Sequence, residues 1–267
     1  MFFDYHIHLE NGPLDMEWLE RFAEAAVARG VSEIGVSEHI FKFTEAGPLW
    51  PSWWRLTPDR SLEDYVDLIA AARAKNLPVK MGIECEYLTG IEKRLAAFLE
   101  GVPWDYVIGS VHFIDEWGFD DTDRLDTWDG RDVDDAYRRY FSLLDEAMTC
   151  GLFDMIGHPD VIKVFGHRAS FDLRPLYDTV AATARRAGVV AEVSTAGLRK
   201  MVGEMYPHFE FLRALSREGV PIAISSDAHY PEHVGYEFAH AARYAAAAGY
   251  TRVTRFAGRK VYGEPLG

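Results

Sequence analysis

Residues 2–8, Phe-Phe-Asp-Tyr-His-Ile-His, stand at the head of the chain without a helix signal and predict its first β-strand. On a strand, side chains two positions apart point to the same face. His6 and His8 therefore project together, while Tyr5 and Ile7 face the other way. Two imidazoles side by side at a strand end are the beginning of a metal site. Taken alone, a His-x-His pair more often marks two ordinary hydrogen-bonded histidines, so the rest of the chain has to decide.

Short apolar runs alternate with longer amphipathic runs along the chain, a pattern typical of β-α units around a parallel sheet. The predicted strands are 2–8, 33–37, 79–84, 106–111, 155–157, 189–194 and 222–226, with a weak eighth at 253–256. The predicted helices are 15–29, one beginning at Ser61, 91–99, 133–149, 173–186, 208–217 and 231–248. No Gly-x-Gly-x-x-Gly or Gly-x-x-x-x-Gly-Lys loop occurs, which favours a closed barrel over an open nucleotide-binding sheet. We expect one domain, residues 1–267; the Trp- and Pro-rich stretch 41–58 fits either a lid or a surface loop.

The charge and composition narrow the classes of partner. With 42 acidic and 28 basic residues, the formal charge of -14 argues against a nucleic-acid-binding surface, but a few local cations can still hold a small anionic substrate. Two cysteines, Cys85 and Cys150, form no disulfide framework and fit a reducing compartment. No apolar run is long enough for a membrane span and no leader pattern is recognisable, so we expect a cytoplasmic protein. Its oligomeric state stays open.

Candidate ligands stand at the ends of six predicted strands. In chain order they are His6 and His8, His39, Glu84, His112, His158, and Asp227 with His229. In an α/β barrel the carboxyl ends of the strands meet on one face, and catalytic groups lie there. These donors exceed what one ion needs, and a carboxylate can bridge two metals, so we expect a multinuclear site for zinc, iron or manganese. Two such ions would share a hydroxide that attacks phosphorus in an in-line displacement.

Six short motifs occur in a fixed order at these strand ends. They are Asp4-x-His6-x-His8, Glu38-His39, Gly82-x-Glu84, Ser110-Val111-His112, Gly157-His158 and Ser226-Asp227-x-His229. Over nearly the whole chain this set resembles the PHP phosphoesterase family. Residues 165–168 (Phe-Gly-His-Arg) and 194–200 (Ser-Thr-Ala-Gly-Leu-Arg-Lys) are similar to the corresponding stretches of PHP-type histidinol-phosphate phosphatases. The resemblance implies an α/β fold, a distorted (β/α)7 TIM-like barrel, with its active site at the carboxyl ends of the strands.

The resemblance also implies a trinuclear metal centre. The first ion would take His6, His8, Glu84 and Asp227; the second would share Glu84 and add His112 and His158; the third would take His39 and His229. Family members commonly supply another third-site ligand, often a histidine, shortly after the first motif. The segment here, 9–15, holds no histidine, and Glu10 or Asp15 would substitute. Two or three divalent ions are therefore expected.

The implied reaction is hydrolysis of a phosphate monoester, with L-histidinol phosphate giving L-histidinol and phosphate. Arg199 is the first choice for a phosphate clamp, because a guanidinium binds two phosphate oxygens at once. Further cationic candidates are Lys163, Arg168 and Lys200. Glu84, Asp227 and His229 form the expected catalytic set, and either His229 or a metal-bound water protonates the leaving group. Candidate contacts to the ammonium and imidazole of the substrate are Glu86, Asp115 and Glu116; Asp4 is expected to orient a first-motif histidine.

Several alternatives stay open at this point. A PHP-type enzyme acting on another small phosphate ester or a nucleotide, or a nuclease on the same scaffold, would use the same ligands. A metal-dependent amidohydrolase also carries His-x-His on its first strand. A metal-loaded binding protein without turnover is the non-enzymatic reading. The expected partner is a small phosphate ester, with neither nucleic acid nor membrane.

Overall fold

The computed structural model describes residues 1–121 and 124–266 of the chain. Its strands are β1 Phe2–Asp4, β2 Val31–Val36, β3 Val79–Met81, β4 Glu84–Glu86, β5 Ile108–Ser110, β6 Phe113–Ile114, β7 Trp117–Gly118, β8 Met155–Ile156, β9 Val190–Ser194, β10 Ile222–Ser225, β11 Arg252–Ala257 and β12 Lys260–Pro265. Its α-helices are α1 Met16–Ala28, α2 Leu62–Ala74, α3 Glu92–Leu99, α4 Val133–Thr149, α5 Arg174–Ala187, α6 Phe209–Arg217 and α7 Phe238–Ala247.

Parallel strands form a closed ring. One sheet has the order β1-β2-β3 and the other the order β10-β9-β8-β5-β4. A parallel bridge between Ile7 and Ala228 joins β1 to β10, and one between His39 and Glu84 joins the end of β2 to β4. Since β3 and β4 are two halves of one strand, interrupted at Gly82, the described residues build a seven-stranded barrel. The strand pattern predicted a closed barrel, and the distorted (β/α)7 form is the one that the resemblance implied.

Local sequence signals set the helix ends. The carboxylate of Asp15 accepts the backbone N–H of Trp18 and caps α1, and the Ser61 hydroxyl caps α2 in the same way through Asp64 N. Gly188 ends α5 with a φ of 73°, a backbone conformation that favours glycine. Except in the final helix, the predicted helix ends therefore agree with the structure to within about one or two residues.

The predicted final helix, 231–248, is wrong at its start. Pro231–His233 forms a separate 3₁₀ turn, and α7 begins only at Phe238. Gly235 lies between them with a φ of 65°, and its N–H donates to the buried carboxylate of Asp4. That hydrogen bond draws the segment onto the end of β1, so that it cannot continue as a helix.

The last two strands lie outside the barrel. β11 and β12 pair as an antiparallel hairpin, so the weak eighth strand is real but is not a parallel barrel strand. Fully buried Phe256 of the hairpin packs against Tyr5 and Tyr106, with ring centroids 5.4 and 5.2 Å away. An added Cβ at Gly82 would overlap the Tyr106 ring, which explains the glycine there. The hairpin thus closes the amino end of the barrel and leaves the carboxyl end open.

The stretch 41–58 lies across that open end. Its Phe41 ring stacks on His39, and Trp54 packs against Phe113 of β6 at 4.7 Å. Phe41, Trp54 and Phe113 also line the large cavity at the carboxyl end, so this stretch forms part of the cavity wall. Within residues 1–121 and 124–266, no helix is both long and apolar enough to cross a membrane.

Candidate metal centre

The predicted ligands converge at the carboxyl end of the barrel. A cavity of about 1140 Å³ opens there, and its wall includes His39, Glu84, His112, His158 and Asp227. His6 and His8 follow β1 and are fully buried beneath it. Tyr5 and Ile7, which alternate with them, point into the apolar core, as the strand period requires. The strand order therefore brings together every residue that the sequence motifs marked as a candidate ligand.

The first group of donors is His6, His8 and Asp227. Asp227 Oδ1 lies 3.4 Å from His8 Nε2 and 3.8 Å from His6 Nε2. One ligand atom from each of the three residues falls within 4.8 Å of the others, a spacing that can hold one ion. Asp227 has a φ of 50°, a strained backbone conformation for a residue with a side chain.

Glu84 lies at the middle of the cluster. Its Oε1 is 3.1 Å from His158 Nε2, 3.4 Å from His6 Nε2 and 3.8 Å from His112 Nε2. Its Oε2 lies 2.6 Å from His39 Nδ1. A carboxylate with imidazoles on both of its oxygens is placed to bridge two ions, as the family resemblance implied for this residue.

The third group contains His8, His39 and His229. Glu10 joins it: its Oε1 is 2.8 Å from His229 Nδ1 and 3.9 Å from His39 Nε2. Asp15, the other candidate for this position, instead caps α1. Of the two substitutes for the missing histidine, Glu10 is therefore the one that the fold brings to the ligands.

The donor set fits divalent ions. Among the described residues, no hydrogen-bond partner reaches His6 Nε2, His8 Nδ1 or His8 Nε2, although all three atoms are buried. Burying polar atoms without partners costs on the order of 1–3 kcal/mol each, and so many within one cluster indicate a ligand. Imidazole and carboxylate together suit zinc, iron or manganese.

The electrostatics of the cluster keep its carboxylates ionised. Burial raises the pKa of Glu84 and Asp227, but the neighbouring His6 reverses this and holds both well below their usual range. Burial, together with the nearby His39, lowers the pKa of His8 to about 3. Burial also lowers the pKa of His229, yet hydrogen bonds to Asp227 and Glu10 raise it to about 9. Near neutral pH the centre therefore offers ionised carboxylates and a neutral His8.

Two buried carboxylates behind the ligands were not recognised from the sequence in this role. Glu192 of β9 is fully buried; its Oε1 lies 2.7 Å from His6 Nδ1, and its Oε2 accepts the backbone N–H of His158. Glu86 holds His112 through Nδ1 at 2.6 Å. Such partners fix the ring that a histidine presents to a metal. An acidic residue within the apolar run of β9 was the available signal for Glu192.

Asp4 and Glu86 differ from the roles expected of them. The carboxylate of Asp4 accepts hydrogen bonds from Ser226 N, Ser226 Oγ and Gly235 N, so it fastens the end of β10 rather than a histidine ring. Glu86 lines the cavity, but its carboxylate is buried and engaged by His112, through the backbone N–H at 2.8 Å and through Nδ1 at 2.6 Å. Asp115 and Glu116 do line the cavity, and Asp115 pairs with Arg139 at 3.2 Å.

The four cationic candidates separate into two pairs. Arg199 Nη2 donates to the carbonyls of Ser226 and Asp227 at 2.7 and 3.0 Å, while its Nη1 is buried and has no hydrogen-bond partner among the described residues. Lys200 is exposed on the cavity wall. Lys200 therefore lines the cavity, whereas Arg199 lies against the backbone of Asp227 and is not part of the cavity lining.

Lys163 and Arg168 are not brought to the cavity. The ammonium of Lys163 is buried against Asp160 Oδ2 and the Met205 carbonyl, both at 2.9 Å. Arg168 is half-exposed and pairs with Glu204 at 2.7 Å. Each cation is occupied by a carboxylate of the protein, which explains why neither faces the ligands.

The segment after β7 adds cavity residues that sequence reasoning missed. Asp120 Oδ2 lies 3.9 Å from His112 Nε2, and Arg124 and Arg131 also line the cavity. The Arg131 guanidinium stacks over Trp117 at 3.9 Å. The motif pattern gave no signal for these residues, because they follow a short hairpin rather than a barrel strand.

A barrel with this ligand cluster defines a metal-binding protein of the α/β-barrel hydrolase type. The family model described as PHP domain matches residues 4–196, more than half of the chain, so the protein belongs to the PHP domain family. A probable histidinol-phosphatase of Deinococcus radiodurans is 37% identical over 234 residues, 83% of this chain and 84% of the relative. A histidinol-phosphatase of Lactococcus lactis is 22% identical over 173 residues, 61% of this chain and 58% of the relative.

Solved structures agree in fold. The crystal structure of histidinol phosphate phosphatase from Lactococcus lactis, complexed with zinc, L-histidinol and phosphate, superimposes with a TM-score of 0.79. It is 20% identical and covers 98% of both chains. The putative histidinol phosphatase of Listeria monocytogenes gives a TM-score of 0.72 at 21% identity, over 89% of this chain and 99% of its own. At these identities the likeness establishes the barrel and its topology.

Proposed function

We propose that the protein is a metal-dependent phosphomonoesterase that hydrolyses L-histidinol phosphate to L-histidinol and phosphate, a step of histidine biosynthesis. The observation that carries the proposal is the convergence of histidines and carboxylates from six strand ends around Glu84, at the floor of one cavity. The choice of ester is supported by the Deinococcus relative, which is similar over most of both chains and is named a probable histidinol-phosphatase.

The residues divide into holders of two or three ions. His6, His8, Glu84 and Asp227 would hold the first, Glu84 with His112 and His158 the second, and His39 with His229 and Glu10 the third. Zinc, iron and manganese all suit these donors. When bound, such ions activate water and offset the charge that develops on the phosphoryl oxygens.

Side chains within and beside this cavity would hold the phosphate ester. Arg199 is not among the residues that line the cavity, but its Nη1 is buried without a hydrogen-bond partner among the described residues and would donate to a phosphoryl oxygen, while its Nη2 donates to the Asp227 carbonyl. Lys200 adds positive charge on the cavity wall. His229, whose Nε2 lies 3.1 Å from Asp227 Oδ1, is one proposed source of the proton for the leaving oxygen, in a state in which it does not hold the third ion. A solvent water is the other source of that proton.

The test measures metal content and phosphate release on the same preparation. The metal-replete protein is given L-histidinol phosphate, a panel of other monoesters including nucleotides, and an amide substrate. We expect L-histidinol phosphate to have the highest kcat/KM, and Asp227→Asn to abolish turnover with little change in the unfolding transition. His240→Asn, at a half-exposed position on α7, is the matched control and should keep full activity. Absence of phosphate release from every ester would overturn the proposal.

A further inference from the structure

Tyr206 lies beside the proposed metal centre, and it is neither one of the proposed metal ligands nor one of the proposed substrate contacts. It follows the 3₁₀ turn Ala196–Arg199 and forms an isolated antiparallel bridge with Ser194 at the end of β9. Two backbone hydrogen bonds make this bridge, Ser194 N to the Tyr206 carbonyl at 2.7 Å and Tyr206 N to the Ser194 carbonyl at 3.0 Å. The tyrosine is thereby fixed at the carboxyl end of the barrel, where it lines the same cavity as the ligands.

The ring of Tyr206 is held in one orientation. A Cβ added to Gly197 would overlap the Glu204 carbonyl oxygen and would lie 3.0 Å from two of the ring carbons, so glycine there lets the backbone approach both the Glu204 carbonyl and the phenol closely. The Lys163 ammonium lies 5.4 Å from the ring centroid on the ring face. The His158 ring approaches at 75°, with centroids 6.3 Å apart. The direction of the hydroxyl is therefore set by packing before any substrate arrives.

The hydroxyl itself is a buried donor without a protein partner. Tyr206 is 1% exposed, and within the described part of the chain no group forms a hydrogen bond with its hydroxyl oxygen. Burial raises the pKa of Tyr206, so the phenol keeps its proton. Leaving such a donor unsatisfied costs roughly 1–3 kcal/mol, and a buried polar group of this kind in an active-site cavity calls for a ligand atom.

We propose that the Tyr206 hydroxyl donates a hydrogen bond to a non-bridging oxygen of the phosphoryl group bound at the metal centre. This assignment rests on the proposed phosphomonoesterase function and adds a catalytic residue to it. A donor held in place before binding stabilises the charge that the phosphoryl oxygens carry in the transition state, without a reorganisation cost. A neutral phenol also does so without repelling the metal ions, whereas a further cation would.

The experiment compares Tyr206→Phe with Tyr250→Phe in the metal-loaded enzyme. Tyr206→Phe removes only the hydroxyl and keeps the packed ring. Tyr250 is a matched control, because its hydroxyl is also buried and unpartnered among the described residues but lines a separate groove with Phe2 and Arg243. We expect kcat/KM for L-histidinol phosphate to fall about 10- to 100-fold in Tyr206→Phe and the inhibition constant of inorganic phosphate to rise. Metal content, Tm and the activity of Tyr250→Phe should match those of the wild type.

Three outcomes would overturn the assignment. One is a kcat/KM within twofold of wild type in Tyr206→Phe, and another is a loss of bound metal in that variant, which would make the hydroxyl structural. The third concerns p-nitrophenyl phosphate, whose leaving group needs no proton. We expect Tyr206→Phe to lose kcat/KM for this ester by the same factor as for L-histidinol phosphate. An undiminished kcat/KM for p-nitrophenyl phosphate would mean that the hydroxyl donates to the leaving oxygen instead. A wild-type enzyme that hydrolyses no monoester would instead refute the proposed function, before any variant is compared.

Discussion

Glu192 supports two of the proposed metal ligands at once, and Glu192→Gln tests how much they depend on it. Its fully buried side chain meets His6 Nδ1 through one oxygen at 2.7 Å and the His158 backbone N–H through the other. Glutamine keeps the shape but turns one oxygen into an NH2 group. If this group faces His6, the ring must carry its proton on Nε2, the atom directed at Glu84 and Asp227. If the NH2 group instead faces the backbone N–H of His158, two hydrogen-bond donors face each other.

Either arrangement loses about one charge-assisted hydrogen bond, roughly 1.5–3 kcal/mol. Because about 1.4 kcal/mol is tenfold in a binding constant, we expect the first ion to bind about 10- to 100-fold more weakly, the range typical of such supporting carboxylates. Competition with a chromogenic chelator measures this affinity, and kcat/KM at saturating metal gives a second readout.

The matched control is Glu33→Gln near the amino end of β2. Glu33 is also a buried carboxylate, bonded to the Tyr5 hydroxyl and to Arg255, but it lies away from the cluster. Its replacement should lower the free energy of unfolding and leave metal affinity unchanged. Wild-type metal affinity in Glu192→Gln, or an equal loss in Glu33→Gln, would refute the reasoning.

The other predictions concern Glu10 as a ligand of the third ion, the surface residue Arg168, the buried residue Phe256 and the removal of all metal ions. Glu10→Gln should reduce the bound metal by one ion per chain after dialysis, since Glu10 is the carboxylate beside His229; an unchanged content by elemental analysis would exclude it as a ligand. Arg168→Ala should leave kcat/KM within twofold, because its guanidinium pairs with Glu204, and a tenfold rise in KM would return it to the substrate site. Phe256→Ala removes a fully buried ring at the amino end of the barrel and should lower the free energy of unfolding, measured in urea, by about 3–5 kcal/mol; a decrease below about 1 kcal/mol would contradict its packing role. Chelation should lower Tm, since ions that bind only the folded chain stabilise it, and an equal Tm with and without chelator would count against a buried centre.

Much of the metal cluster could be predicted because two properties of the backbone, the strand period and the parallel strand order, determine where its residues lie. Strand period decides which way His6 and His8 point, and parallel strand order brings the carboxyl ends together, so Glu84, His158 and Asp227 had to meet. These relations depend on the backbone alone. They hold even though β1 and β5 are shorter than their predicted ranges. The extent of the single domain, 1–267, stays a prediction.

The positions of the cationic side chains around the cavity could not be predicted from strand period and strand order. Lys163 follows a strand end, as a substrate contact should, yet its ammonium is drawn inward by Asp160 and by the Met205 carbonyl, 42 residues away. Long flexible side chains choose their partners by tertiary contacts, which local pattern does not encode. The start of the last helix was also mispredicted because of a tertiary contact: the backbone N–H of Gly235 donates to the carboxylate of Asp4, 231 residues away in the chain.

Charge balance bears on how many ions the centre holds. The carboxylates in or directly behind the cluster are Glu10, Glu84, Glu86, Glu192 and Asp227. Taken as ionised, these five groups together with the guanidinium of Arg199 and the ammonium of Lys42, 3.1 Å from Glu10 Oε2, carry a formal charge of -3. This negative charge opposes the binding of a phosphate monoester dianion, and the protein as a whole is strongly acidic at -14. Two divalent ions would bring the cluster to +1 and a third would bring it to +3, because bound cations are the largest local charges in such a site. We therefore expect each added ion to strengthen substrate binding, and Glu10, the candidate in place of the expected histidine, would contribute to it by holding the third.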